Sequence, residues 1–312
     1  MSYEELLTGL AASDDRFIVM TAENRALIRK LPQLLGHRFI DTGITEQTLV
    51  GAAAGLALRG RIPVIHALAS FLSMRAFEFV RTDVGIPSLP VKLSAFIPGL
   101  LSDANGPTHQ AIEDISLMRG IPNMTVFAPA DEDDMVKMLP EIWSSPQPAY
   151  TRINTRQTTY LHAPFETGRA EIIAKGADVT ILTYGLLFEQ ALIATEILKD
   201  EGLSAGLINM RSLKPVDEQA ILEAAASSNL VVTLEDHFLT GGLYTIVAEV
   251  LLKHQTTANV LPFALKERWF KSALLPAVIA HEGFGGKQVA ETILGYQTKH
   301  IQPEILKPQF AE

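Results

Sequence analysis

Short apolar runs recur along the chain at Phe17–Met20, Phe39–Asp41, Val64–Leu68, Val91–Phe96, Thr125–Ala128 and Ala149–Ile153. Each is short enough for a strand, and helix-like patterns separate several of them, which predicts an α/β fold. A polar stretch, Asn154–Gly168, then interrupts the rhythm, and a second series follows at Val179–Thr183, Ala205–Asn209 and Leu230–Leu234. Between the first two of these, Leu187, Ala191, Ala194 and Leu198 recur at helical spacing, with Gly202 placed to end the helix. The pattern predicts two doubly wound α/β domains, residues 1–160 and 161–312.

A length of 312 residues suits two such units, each with its own core. Hydrophobic residues at 47% and charged residues at 20% fit a folded globular protein. A net charge of −9 gives no electrostatic reason to bind nucleic acid or an anionic membrane. The acidic, amphipathic start and the lack of a bilayer-length apolar run lead to the expectation of a soluble, unprocessed protein. With no cysteine, disulfides, thiolate metal sites and a cysteine nucleophile are excluded, and a reducing cytoplasm is expected.

The most informative segment is Asp41-Thr42-Gly43-Ile44-Thr45-Glu46-Gln47, which follows a predicted strand and leads into a helix rich in small residues, Gly51, Ala52, Ala54 and Gly55. Such a smooth helix lets another backbone approach closely. Glu46 falls in its first turn, where an acid is ordinarily favoured by the helix dipole. Further on come an aromatic and apolar stretch, Ser70-Phe71 to Met74, Phe77 and Phe79, and a loop motif, Asn105-Gly106-Pro107-Thr108-His109-Gln110.

Together these segments resemble the pyrimidine-binding domain of transketolases, deoxyxylulose-phosphate synthases and the beta subunits of two-oxo-acid dehydrogenases. The resemblance is strongest from Asp41 to Asp131 and weaker beyond Gly168. It implies thiamine diphosphate as cofactor, with Glu46 hydrogen-bonding its aminopyrimidine ring and favouring the imino tautomer that deprotonates the thiazolium C2. It also implies that Phe71, then Phe77, pack against that ring, with Met74 standing where many transketolases carry another aromatic. His109 is implied to contact the substrate and shuttle protons. Arg156 matches the arginine that holds a sugar phosphate, Arg152 is the alternative if the alignment shifts, and Arg25 is a weaker candidate that also reads as a surface ion-pair partner.

Two positions depart from the transketolase pattern. Asn105 replaces an acid that reads a sugar hydroxyl, and Ile97 stands where a histidine is expected. Losing two such groups leaves the reaction type intact but puts the ordinary sugar-phosphate substrates in doubt. In the second half, Glu235, Asp236 and His237 are all of metal-ligand type, but adjacent ligands do not converge easily from a loop. Gly241-Gly242 reads as a tight turn.

The family binds the diphosphate through Mg2+ with a Gly-Asp-Gly motif, and Asp-Gly occurs nowhere in this chain. No metal ligand is therefore assigned here. The diphosphate and metal site are expected from a partner subunit, in an α2β2 heterotetramer acting on a sugar phosphate. The function expected is two-carbon ketol transfer from a ketose phosphate to an aldehyde by a split transketolase. The alternatives are the beta subunit of a two-oxo-acid dehydrogenase or a deoxyxylulose-phosphate-synthase-like enzyme, and a non-catalytic scaffold subunit.

Overall fold

The computed structural model describes residues 1–269 and 271–300. Its first sheet has seven strands, in the order β10-β5-β6-β4-β3-β1-β2. They are β1 (Phe17–Thr21), β2 (Phe39–Asp41), β3 (Ile62–Leu68), β4 (Lys92–Phe96), β5 (Thr125–Phe127), β6 (Ala149–Ile153) and β10 (Ser212–Lys214). All neighbours pair in parallel except β10, which runs antiparallel to β5. Central strands of this kind are buried on both faces, which is why they read as apolar runs rather than alternating ones.

The second sheet has five strands, in the order β12-β11-β8-β9-β7, formed by β7 (Glu171–Ala174), β8 (Val179–Thr183), β9 (Ala205–Asn209), β11 (Leu230–Phe238) and β12 (Val260–Leu265). It is parallel apart from the β7–β9 edge. The predicted amphipathic helix is Phe188–Asp200. It ends in a Schellman turn, with Leu203 N–H donating to Leu198 C=O at 3.0 Å and Gly202 in the left-handed region at φ +87°.

The strand from the second half that joins the first sheet, β10, ties the halves together, and one hydrophobic cluster runs from Met20, Ile65 and Leu93 to Leu182, Ile208 and Leu243. Two buried ion clusters reinforce the junction. In one, Arg152 on β6 donates to Asp114 at 2.6 and 2.9 Å and to Asp236 on β11 at 2.6 Å, with Tyr150 Oη also donating to Asp114. In the other, Arg211 pairs with Asp134 and Glu171, and His162 lies between Asp131 and Glu171.

In the first sheet, β1 leads to β2 on one side while β3 lies on the other, so the chain reverses its direction of travel at β1. Open parallel sheets bind ligands outside the carboxyl ends of their strands beside such a switch point. Arg25, Glu46, Phe71, His109 and Arg156 each follow the carboxyl end of one of these parallel strands, β1, β2, β3, β4 and β6 in turn. Among the described residues no helix is long and apolar enough to cross a membrane.

Candidate active site

Asp41 ends β2 and organises the turn that delivers Glu46. Its Oδ1 accepts from the backbone N–H of Gly43 at 3.0 Å and of Glu23 at 2.9 Å, and Gly43 adopts φ +71°, a conformation that suits glycine. Helix Glu46–Leu58 then starts with Glu46 as its first residue. Its side chain is only 3% exposed, yet its side-chain partner is the half-exposed Arg75, whose Nη1 lies 2.9 Å from Oε2.

Arg75 comes from the segment after β3. Phe71–Arg75 forms a π-helical turn closed by Ala76 N–H donating to Phe71 C=O at 3.0 Å, a wider turn of the kind often found at functional sites. The Arg75 guanidinium carbon lies 3.9 Å above the centre of the Phe71 ring, within cation–π distance. Met74 occupies the same turn and is partly buried, while the Phe77 ring packs against the hydrophobic cluster beneath.

The third strand end carries the long loop from Ile97 to Gln110. Ile97 bends the chain out of β4 in the left-handed region, at φ +45°, which is uncommon for a β-branched residue and marks a position held by its surroundings. The base of the loop is fixed by Gly99 N–H donating to Ala111 C=O and by Leu100 N–H donating to Asp236. His109 lies at the far end, its ring centre 5.2 Å from that of Phe71, with Nδ1 2.8 Å from Thr108 Oγ1. Asn105 is exposed, with Nδ2 3.4 Å from Ser102 Oγ.

Glu46, Arg75, Phe71 and His109 thus form one continuous line of contacts across the ends of β2, β3 and β4. The arrangement offers a buried acceptor, an aromatic face and an imidazole, which suit a flat heterocycle with a polar edge. Arg75 was not among the residues expected from sequence. The signal for it was a lone cation four residues after Phe71 in an otherwise apolar stretch.

The arginines separate into three environments. Arg25 is paired to Asp41 and lies 5.9 Å from the Phe39 ring, the surface ion-pair arrangement. Arg152 is buried with all three guanidinium nitrogens engaged by Asp114, Asp236 and Ala111 C=O, so it has no open face for a phosphate. Arg156 is half-exposed beside Glu189 at 3.4 Å, in a cleft of about 450 Å³ that Asp103, Leu186, Gln190 and Leu275 also line.

Glu235, Asp236 and His237 do not converge on a common point. Glu235 accepts from the backbone N–H groups of Leu243 and Tyr244 at 2.6 and 2.9 Å, capping helix Leu243–Lys253, and burial pushes its carboxyl up to about 8. A β-carbon on Gly242 would lie 2.0 Å from that carboxylate, so glycine is required for the close turn. Asp236 belongs to the Arg152 cluster. His237, which burial pushes down to about 4, accepts from Ser116 N–H and donates to Phe238 C=O. Asp134, His162 and Glu171 are the one group of metal-type ligands brought together among the described residues, and Arg211 and Asn209 already hold their carboxylates.

Two family models match the chain, the transketolase pyrimidine binding domain over residues 1–159 and the transketolase C-terminal domain over residues 168–289. The chain belongs to the transketolase family. It is 36% identical over 255 residues, 80% of its length and 79% of the relative's, to a 6-deoxy-6-sulfo-D-fructose transketolase subunit of Clostridium sp. (strain MSTE9). It is 34% identical over 317 residues to a 1-deoxy-D-xylulose-5-phosphate synthase of Synechococcus sp. (strain JA-2-3B'a(2-13)), covering 98% of this chain but 48% of that one. Among solved structures it is similar to a split gene transketolase, an inactive beta4 tetramer, with TM-score 0.84 and 32% identity over 95% of this chain and 96% of that one. This member of the transketolase family covers nearly all of that split-gene chain and about half the length of the synthase.

Proposed function

We propose that this chain is one subunit of a split, thiamine-diphosphate-dependent transketolase that moves a two-carbon ketol unit from a ketose phosphate to an aldehyde acceptor. The observation that carries the reading is the placement of Glu46, Phe71 and His109 at adjacent strand ends, linked through Arg75. A buried carboxylate within reach of an aromatic face fits a protonatable aminopyrimidine, so the residues present suit that end of the cofactor.

When bound, thiamine diphosphate supplies the electron sink for breaking and making the carbon–carbon bond. The chain's own residues then bind, orient and move protons. The Glu46 carboxyl holds a proton against the ring nitrogen, the Phe71 ring orients the heterocycle and excludes water from one face, and His109 passes a proton at the substrate oxygen. Arg156 offers donors to the anionic end of a substrate. Phe77 and Met74 add apolar contacts to the heterocycle, Asn105 borders the substrate path, and Arg25 holds Asp41 in the turn that delivers Glu46.

The diphosphate and Mg2+ fall to a partner subunit in this reading, since Asp-Gly is absent from the sequence. The assembly is an α2β2 heterotetramer, with the reducing cytoplasm as the working compartment. The test is to identify the chain that co-purifies with this one, then assay the pair for ketol transfer with ketose phosphates. A second reading has support from the synthase relative, which aligns along 98% of this chain. Its product would be 1-deoxy-D-xylulose 5-phosphate, so measuring formation of that compound beside ketol transfer discriminates the two.

A further inference from the structure

Arg75 is placed as a ligand would be. Its guanidinium is planar, it lies over the Phe71 ring at 3.9 Å, and its edge donates to the buried Glu46 carboxylate at 2.9 Å. Those are the two contacts the proposed function asks of the aminopyrimidine, a stacked face and a hydrogen-bonded edge. At that ring face and at Glu46 Oε2 the arginine and an incoming heterocycle compete.

The rest of the geometry suits a removable group. Glu46 is 3% exposed at its side chain and Arg75 41%, so the acceptor is fixed in the wall while the donor has an open path to solvent. Arg75 also sits on the π-helical turn Phe71–Arg75, four residues from the ring it covers. A wider turn can tighten or shift by one hydrogen bond without unravelling the segment. Once displaced, the arginine keeps its charge hydrated, because its side chain is already 41% exposed.

We infer that Arg75 is a latch for the cofactor site: in the chain without cofactor it occupies the Phe71 face and ties up Glu46, and the heterocycle must displace it to bind. The latch satisfies the Glu46 carboxylate while the site waits, which keeps a buried charge from standing unpaired. It also makes the cofactor's affinity lower than the bare pocket would give, by the fraction of chains in which the latch is open. This inference rests on the reading of Glu46 and Phe71 as the cofactor site.

The test is direct binding of a cofactor fragment, 4-amino-5-hydroxymethyl-2-methylpyrimidine, to the full chain, measured by calorimetry and ligand-observed NMR. Wild type is compared with Arg75→Met, which keeps the apolar stem, Arg75→Lys, which keeps the charge without the planar face, and Glu46→Gln. The latch predicts that Arg75→Met binds the fragment about twofold to fivefold more tightly than wild type, the range expected when a partly exposed ion pair no longer competes. It predicts an intermediate gain for Arg75→Lys, and a shift of the Arg75 side-chain 15N resonance in wild type as fragment is added.

Equal or weaker binding by both Arg75 variants, with binding still lost in Glu46→Gln, would overturn the latch and leave the cofactor site standing. Absence of binding in every form, the Arg75 variants included, would overturn the latch together with the reading on which it rests. Circular dichroism of each variant establishes that it is folded before titration, and Arg75→Lys carries the test if Arg75→Met does not fold.

Discussion

The Asp236 carboxylate occupies the place that a β-carbon on Gly99 would need, with Oδ2 only 1.7 Å from that position. Gly99 opens the loop that carries Asn105 and His109, and Asp236 lies on β11 of the second sheet, so the second half of the chain sets the base of a loop belonging to the first. Gly99 is also in the left-handed region at φ +57°.

Substituting Gly99 by alanine should therefore displace the loop rather than simply fill space. Both the backbone conformation and the clash oppose it, and overpacking of this kind costs about 1–3 kcal/mol before the effect of φ is added. Gly283 is the control, since it has φ +75° but nothing within 4 Å. Urea denaturation should rank Gly99→Ala well below Gly283→Ala, and equal losses would mean that Asp236 yields without cost.

The two arginines on either side of Asn154 should separate cleanly. Arg152→Met leaves Asp114 and Asp236 buried without their shared cation, so unfolding free energy should fall by about 3–5 kcal/mol. Arg156→Ala removes a half-exposed pair and should cost at most about 1 kcal/mol. Its effect should appear instead in substrate use, as a larger loss of kcat/KM for a phosphorylated substrate than for its unphosphorylated counterpart. Equal losses for both substrates would reassign Arg156 to structure.

The cluster around His162 gives a prediction about alkaline stability. Burial by itself lowers the imidazole's affinity for protons, but hydrogen bonds to Asp131 and Glu171, with the charges of Asp134 and Glu171, outweigh it and raise the pKa to about 9. The folded value lies above the unfolded value of about 6.5, so this stabilisation is fully present below about pH 6.5 and is lost as pH rises through 9. Thermal melts should show a falling Tm between those limits. His162→Gln should lower Tm near neutral pH and flatten that slope, and an unchanged slope would remove His162 from the junction's electrostatics.

Much of this architecture was legible in the chain's apolar runs because parallel strands buried on both faces leave continuous hydrophobic stretches. Phe39–Asp41, Ala149–Ile153, Val179–Thr183 and Ala205–Asn209 form strands with the bounds read from sequence. Strands β7, β10 and β12 went unread, the last two for physical reasons. Pro262 lies inside β12, and proline is accepted there because β12 is an edge strand. The β10 strand has only three residues and joins the other half's sheet, a pairing that no local pattern encodes.

For the candidate site, motifs pointed to Glu46 and His109, but the contacts that join them through Arg75 and Phe71 depend on the π-helical turn. Helical periodicity does not signal such a turn. Arg152 and Arg156, four positions apart in one sequence segment, could be told apart only once the second sheet supplied Asp236 and the helix Phe188–Asp200 supplied Glu189.

Action of Glu46 on the cofactor is read out by hydrogen–deuterium exchange at the thiazolium C2 of bound thiamine diphosphate. It is made by quenched-flow NMR on the complex assembled with its partner subunit, with cofactor occupancy matched between wild type and Glu46→Gln. Exchange in Glu46→Gln should be slower by about 10²–10⁴-fold, the contribution of a positioned acid–base group, with folding and assembly preserved. Exchange at the wild-type rate would contradict it and leave Glu46 as a first-turn acid of the helix.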